Sequence, residues 1–203
     1  MPSNVSHFTP PSLEFETRRV KFELLSEDES AFYVSLYCDP KIMRLIGSPL
    51  SSTTANKAFT ATLKANKKPF GEKSHMKVWV AKCKESSSPL GIVSLNWLAI
   101  EFQEKDKEKH VIAPNDNEPE IGIILSRQAH GKQLAEEAIT GLLSFGFSQL
   151  KIPKFHTFYQ QKNIAVRRFV KKLGFEFSEV LSPFKANTTY QYITPTTFKP
   201  FVR

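Results

Sequence analysis

A strand-to-helix junction in the second half of the chain constrains the fold more than any other feature. The segment 120–125, E-I-G-I-I-L, has the length and composition of a buried β-strand. A polar junction follows, and from Gly131 to about Leu150 apolar residues recur at helical spacing. A second unit comes next, a short aromatic strand at 155–159 and a helix at 163–173. A strand followed directly by a helix implies a crossover connection.

The rest of the chain predicts further strands and two more helical regions. Apolar and charged residues alternate along the first of these strands, and the sequence from Ser26 to Glu29 matches a helix capping box. The predicted strands cover 19–25, 76–81, 90–98, 175–180 and 189–194, and the predicted helices cover 27–38 and a segment that begins near 51–54. These elements predict an α/β (α+β layered) domain with helices on both faces of a mixed sheet.

We expect a single folded domain. The 203 residues, 40% of them hydrophobic, are enough to bury a full core. Residues 1–12 are mostly polar and contain two adjacent prolines, so they are expected to form a flexible tail before a domain at 13–203. The charged segment at about 101–119 is expected to be a long polar loop.

Charge and composition limit the partners of this domain. The net charge of +8 favours an anionic partner, but the lysines are scattered, which argues against nucleic acid. No apolar run approaches the ~18 residues of a membrane span, and the N-terminus lacks the features of a secretory signal, so we expect a cytoplasmic protein with no membrane partner. The two cysteines and five histidines show no metal-binding spacing, so no metal is expected.

Two segments carry the candidate chemistry. The junction S-R-Q-A-H-G-K-Q, at 126–133, leads into a helix, whose first amides are unpaired and bind phosphate oxygens well. The helix at 163–173 has an apolar face and a basic face that includes Arg167 and Lys171. Each segment alone is equally explained by ordinary structure, the first as a capped turn and the second as a solvated surface.

Taken together, these segments resemble one family. The strand E-I-G-I-I-L, the junction Q-A-H-G-K-Q and the helix N-I-A-V…K-K-L-G-F resemble the GNAT N-acetyltransferases, in particular the branch of ribosomal-protein alanine acetyltransferases. The earlier segments F-E-T-R-R-V-K-F-E-L-L and D-P-K-I-M-R-L-I-G-S-P-L-S are similar to that branch's opening strand and first helices. The resemblance covers about residues 13–195 and implies a mostly antiparallel sheet with a splayed strand at the cofactor site.

The resemblance implies acetyl-CoA as the cosubstrate. It places the pyrophosphate on the loop amides around Gly131 and the pantetheine arm along the splayed strand and against Asn163. The cofactor residues implied are Ile123, Leu125, Gln128, His130, Gly131, Lys132, Gln133, Leu134, Ala135 and Asn163. The family usually has a small residue where Gln133 stands, often an aromatic residue at His130, and Ser or Ala at Val166.

The resemblance also implies catalysis by direct attack of a primary amine on the thioester. An ammonium must first lose a proton, so a carboxylate or a water chain ending at one is needed. Glu120 is the candidate base, with Glu118 and water as alternatives. Val170 stands where some relatives have a tyrosine that protonates the leaving thiolate.

Two further hypotheses remain open from the sequence. One is a non-catalytic basic module that binds RNA or the ribosome, and the other is a CoA-binding sensor on the same fold. The amine acceptor, either a protein N-terminus or a small molecule, and the oligomeric state, a homodimer included, are not specified by the sequence.

Overall fold

A computed structural model describes residues 12–69, 75–97, 100–104, 109–112, 117–178, 181–183 and 187–201. The strands are β1 (Phe15–Glu16), β2 (Val20–Leu24), β3 (Met76–Cys83), β4 (Pro89–Asn96), β5 (Ile100–Glu104), β6 (Lys109–Ile112), β7 (Glu120–Leu125), β8 (Phe155–Gln160), β9 (Leu181–Pro183) and β10 (Thr188–Ile193). The α-helices are α1 (Ser30–Cys38), α2 (Pro40–Met43), α3 (Ser52–Lys67), α4 (Leu134–Ser148) and α5 (Ile164–Leu173).

Seven strands form the main sheet, in the order β1-β2-β3-β4-β7-β8-β10. Its neighbouring strands run antiparallel, except that β7 and β8 run parallel. Helix α4 makes the crossover between β7 and β8, as a parallel pair requires. The predicted α/β layered fold with a mostly antiparallel sheet is therefore confirmed.

Two hydrophobic clusters cover the two faces of this sheet. One cluster joins Trp79, Leu95 and Ile121 to the buried sides of α4 and α5. The other joins Val80 and Ile124 to α1 and α3. Successive side chains of β7 therefore point alternately toward the α4–α5 face and the α1–α3 face, which fixes the face on which each functional side chain lies.

A buried lysine holds the end of α3 against the sheet. The Lys77 side chain is fully buried, and its Nζ donates to the carbonyl oxygens of Ala65 (3.3 Å), Asn66 (2.9 Å) and Lys68 (2.5 Å). Burial lowers the pKa of this amine. The last carbonyls of a helix lack the usual intrahelical partner, and Lys77 donates to three carbonyls at this helix end, of which that of Ala65 also accepts from the Lys68 amide (3.3 Å).

Two predictions from the sequence differ from the structure. The segment 101–119, predicted to be a loop, contains the antiparallel hairpin of β5 and β6, which forms a small second sheet with β9. In I-E-F-Q-E, polar residues alternate with apolar ones at a strand period that the high charge of the surrounding segment obscured, whereas K-H-V-I shows no such alternation. The predicted strand 175–180 is limited, in its described part, to a single bridge between Glu176 and Tyr192. The predicted tail lies outside the described residues up to residue 11.

Candidate functional site

The main sheet separates into two halves between β7 and β8. In the described part of the chain, these strands meet at one pair of Cα partners, Glu120 and His156, and the His156 amide donates to the Pro119 carbonyl oxygen (2.9 Å). On its outer side each strand is fully paired, β7 with β4 and β8 with β10. The two strands diverge beyond Glu120 and leave a cleft between them.

Backbone groups of β7 face this cleft. The Pro119 carbonyl bonds to β8, whereas the Ser126 amide bonds to the Leu90 carbonyl at the start of β4 (2.8 Å). Successive residues of a strand direct their hydrogen-bonding groups to opposite sides. The backbone groups that face β8 are therefore those of Ile121, Ile123 and Leu125, and the parallel pairing of Glu120 with His156 uses the Ile121 amide. The backbone groups of Ile123 and Leu125 face the cleft, where an extended ligand could pair with them, and the family resemblance implied this role for both.

The loop between β7 and α4 has an open, left-handed backbone. A single 3₁₀ turn at Arg127–Ala129 begins it, and the buried Ala129 anchors that turn. Gly131 (φ 74°) and Gln133 (φ 58°) are both left-handed, the second at the N-cap of α4. A Cβ on Gly131 would meet no heavy atom within 4 Å. The loop thus leaves space for a ligand beside its backbone and beside the N-terminus of α4.

A cavity of about 470 Å³ lies against this loop. Eight of the predicted cofactor residues line it: Ile123, Leu125, His130, Gly131, Gln133, Leu134, Ala135 and Asn163. The other two, Gln128 and Lys132, are exposed and do not line it. His130 Nε2 lies 3.2 Å from the Leu125 carbonyl oxygen, which closes the loop over the end of β7.

Asn163 combines a structural role with an unused donor. It is the N-cap of α5, and its Oδ1 accepts from the Val166 amide (3.2 Å). Its Nδ2 makes no hydrogen bond within the described residues, although the residue is only 8% exposed. Asn163 can therefore cap the helix and donate to a ligand in the cavity at the same time.

Glu120 lies in a second cavity, of about 360 Å³, that runs between β7 and β8. Tyr37, Ser94 and Phe158 are among the other residues that line it. Burial raises the pKa of the Glu120 carboxyl to about 7. The two cavities share several lining residues, among them Ile123 and Asn163, so they adjoin. A carboxyl with this pKa beside a ligand-sized space is suited to accept a proton near neutral pH.

Glu118 is already engaged by two partners. Lys154 Nζ lies 3.1 Å from Glu118 Oε2, and His156 Nε2 lies 3.0 Å from the same oxygen. Burial lowers the pKa of His156, although Glu118 opposes the shift. A neutral imidazole then donates from Nε2 and accepts at Nδ1 from the Tyr190 hydroxyl (2.9 Å). Of the two candidate carboxylates, Glu120 is the one that lines a cavity.

Several lining residues could not be found from the sequence. Tyr37, Leu45 and Ile46 belong to α1 and the segment after α2, and they line the same cavity as Glu120. Their patterns predicted only helix packing, because contacts across the sheet leave no local signal. The Glu118–His156–Tyr190 chain was also missed, since its members are up to 72 positions apart, from 118 to 190.

The basic face of α5 is exposed to solvent, as an ordinary surface helix would be. Arg167, Arg168 and Lys171 are exposed, and Lys172 Nζ pairs with the buried Glu136 carboxylate (2.9 Å). In the ranges described above, no cluster of three or more His, Cys, Asp or Glu side chains could hold a metal ion. None of the described helices has both the length and the hydrophobicity to cross a membrane.

The comparisons with known proteins agree with this architecture. An acetyltransferase from Agrobacterium tumefaciens superposes with a TM-score of 0.71 at 17% identity, over 95% of this chain and 99% of that one. The spermidine N-acetyltransferase of Vibrio cholerae, solved with CoA and spermine, gives 0.66 at 16% identity, over 89% and 98%. RimL, a ribosomal alpha-N-protein acetyltransferase solved with CoA, gives 0.67 at 13% identity, over 89% and 97%.

Sequence comparison supplies the family. A comparison of the sequence with curated proteins gave no match. The family described as the acetyltransferase (GNAT) domain matches residues 19–176, which is most of the chain and includes β2 through α5. The chain therefore belongs to the GNAT acetyltransferase family.

Proposed function

We propose that this protein transfers an acetyl group from acetyl-CoA to a primary amine, either a protein N-terminus or a small molecule. The observation that carries the proposal is the position of Glu120, a carboxyl with a pKa of about 7 at the head of the cleft. Two structural relatives support the substrate class, since one is a spermidine acetyltransferase and the other acts on a ribosomal protein.

The residues of the cleft fit acetyl-CoA in three places. The open backbone at Gly131 and the N-terminus of α4 would hold the pyrophosphate, because their amides and the helix dipole favour anions. The cleft-facing backbone of Ile123 and Leu125 would pair with the amides of the pantetheine arm. Asn163 Nδ2 would donate to the same arm. When bound, acetyl-CoA supplies the thioester that the amine attacks.

Glu120 would accept the proton of the substrate ammonium. Its raised pKa narrows the gap to the pKa of an amine, which makes proton transfer less unfavourable than to an ordinary carboxylate. A cleft-facing amide of β7 would donate to the developing oxyanion. Val170 is buried and apolar, so α5 offers no acid there for the leaving thiolate, which with a pKa near 8.5 can leave unaided.

Turnover of acetyl-CoA with an amine panel tests this proposal. The full chain is incubated with acetyl-CoA and, separately, peptides with free N-termini, spermidine and amino acids, and thiol release is followed. We expect release that depends on at least one amine and on enzyme concentration. Tight acetyl-CoA binding without turnover on any amine would favour the CoA sensor, and RNA binding without acetyl-CoA binding would favour the basic module.

A further inference from the structure

A contact of Arg19 with the loop between β7 and α4 has no role in the function proposed so far. Arg19 stands just before β2, and its side chain reaches α4 and the loop together. Its Nε lies 2.6 Å from Glu137 Oε2, and its Nη2 donates to the Lys132 carbonyl oxygen (3.1 Å). One guanidinium therefore joins the N-terminal strands, the first turn of α4 and the loop.

Glu137 fixes the guanidinium from the other side. Its Oε1 accepts from the Arg19 amide (2.7 Å) and from Thr17 Oγ1 (2.8 Å), so both carboxylate oxygens are used. The Glu137 carboxylate is mostly buried, and burial would raise its pKa, but these hydrogen bonds together hold the pKa below its ordinary value. The carboxylate therefore stays charged, and it neutralises Arg19.

Other contacts hold the loop on either side of Lys132, from His130 to the Leu125 carbonyl (3.2 Å) and from the Gln133 carbonyl to the Glu137 amide (3.2 Å). Gly131 and Gln133 flank Lys132 and are both left-handed, and a left-handed side-chain residue such as Gln133 carries a conformational cost. In the described structure, the Lys132 carbonyl receives its hydrogen bond from Arg19. Loss of that bond would let the peptide between Lys132 and Gln133 rotate, and the loop amides would turn with it.

We propose that Arg19 is a positioning residue for the phosphate-binding loop. Held by Glu137, it fixes the Lys132 carbonyl and thereby keeps the amides of residues 131–133 directed at the pyrophosphate. This inference rests on the proposed use of acetyl-CoA. Arg19 acts through the loop and not through its own charge, because Glu137 already neutralises it. A lysine at this position offers a single nitrogen for both contacts, in place of the separate Nε and Nη2 of the guanidinium fork, so it would hold the carboxylate and the carbonyl less well.

The test compares two acetyl donors, of which only one carries the pyrophosphate that the loop would bind. S-Acetylpantetheine carries the thioester and the pantetheine arm but lacks the pyrophosphate and the phosphorylated adenosine of acetyl-CoA. We expect Arg19→Met to lower kcat/KM for acetyl-CoA about tenfold, the scale for losing a hydrogen bond to a charged group. The value for S-acetylpantetheine should change less than about twofold. Arg19→Lys should show the same selectivity with a smaller loss.

Lys84→Met is the matched control. Like Arg19, Lys84 pairs with a glutamate, in this case Glu16 of β1 (2.9 Å), and its replacement by Met likewise removes one positive charge. Unlike Arg19, it makes no described hydrogen bond to the loop. We expect normal kcat/KM for both donors in this variant. Equal losses with both donors in the Arg19 variants, or no loss with either, would overturn the positioning role.

Binding gives the same comparison if turnover of S-acetylpantetheine is too slow to measure. The Kd of CoA should rise about tenfold in Arg19→Met and by a smaller factor in Arg19→Lys, while the Kd of pantetheine should not change in either variant. Equal changes in both Kd values would overturn the inference. A wild-type chain that binds neither compound would instead contradict the proposed function, so the two failures are distinguishable.

Discussion

Glu120 and His156 are Cα partners at the point where β7 and β8 separate, and their side chains lie on the same face of the sheet. The strand pairing on both sides of the cleft buries this point, and burial is what raises the pKa of Glu120 to about 7. The splayed sheet thus creates both the space for a ligand and a carboxyl suited to take a proton there.

Replacement of the Glu120 carboxyl should slow the reaction without weakening the binding of CoA. We expect Glu120→Gln to lower kcat about 10²- to 10⁴-fold and to leave the Kd of CoA unchanged. The deficit should shrink as the pH approaches the pKa of the amine, because solution then supplies the neutral amine. A pH–rate profile checks this. A constant deficit at all pH values would indicate lost positioning, and a fully active variant would assign the role to Glu118 or water.

The same substitution should change stability in a pH-dependent way. The raised pKa of Glu120 stabilises the folded chain at pH values below 4.5, the ordinary pKa of this carboxyl. That contribution is lost as the pH rises through about 7. Wild type then carries a buried charge that costs up to about 3 kcal/mol, at about 1.36 kcal/mol per pH unit.

Urea unfolding at about pH 5 and pH 8 measures this cost. The stability of Glu120→Gln relative to wild type should increase by about 2 kcal/mol between the two pH values. The exposed Glu14, changed to Gln, should show no such increase. A pH-independent difference for Glu120→Gln would mean that the carboxyl is not buried as described.

Charge, and not volume, should decide which substitutions the loop accepts at Gly131. The left-handed backbone suits Asn and Asp equally, and a Cβ meets no neighbour. We expect Gly131→Asp to weaken CoA binding much more than Gly131→Asn, because only Asp repels the pyrophosphate. Calorimetric titration of both folded variants with CoA tests this. Equal Kd values for the two variants would mean that the phosphates bind elsewhere.

Lys77 should be important for stability and not for catalysis. Lys77→Met removes the lysine donor from three carbonyl oxygens at the end of α3, of which only that of Ala65 keeps the Lys68 amide, and we expect it to reduce the free energy of unfolding by about 2–4 kcal/mol. The exposed Lys67, in the last turn of the same helix, should tolerate Met within about 0.5 kcal/mol. Denaturant unfolding compares the two variants, and equal losses would contradict the buried role of Lys77.

The predictable part of this protein is the part with local signals. The segment 120–138 predicted its strand, loop and helix because the apolar period changes from buried strand to helix within a few residues. Eight of the cofactor residues that the family resemblance implied line one cavity, and seven of them lie within 13 consecutive positions, from Ile123 to Ala135.

The unpredictable part depends on contacts between distant segments. Arg19 and Glu137 are 118 positions apart, and neither has a pattern that indicates the other. The pKa of Glu120 is raised by the burial of its side chain, and its position at the start of a strand does not predict how deeply it is buried. The hairpin of β5 and β6 was missed because only β5 alternates and charged residues dominate the segment around it.

Binding of acetyl-CoA to the full chain tests the central claim most directly. A ligand that binds only the folded state raises the melting temperature by mass action, so we expect acetyl-CoA to raise it in a concentration-dependent way, and ATP and NAD to do much less. An unchanged melting curve at about millimolar acetyl-CoA would contradict the assignment of the cleft to this cosubstrate, since 100-fold excess over Kd stabilises by about 2.7 kcal/mol.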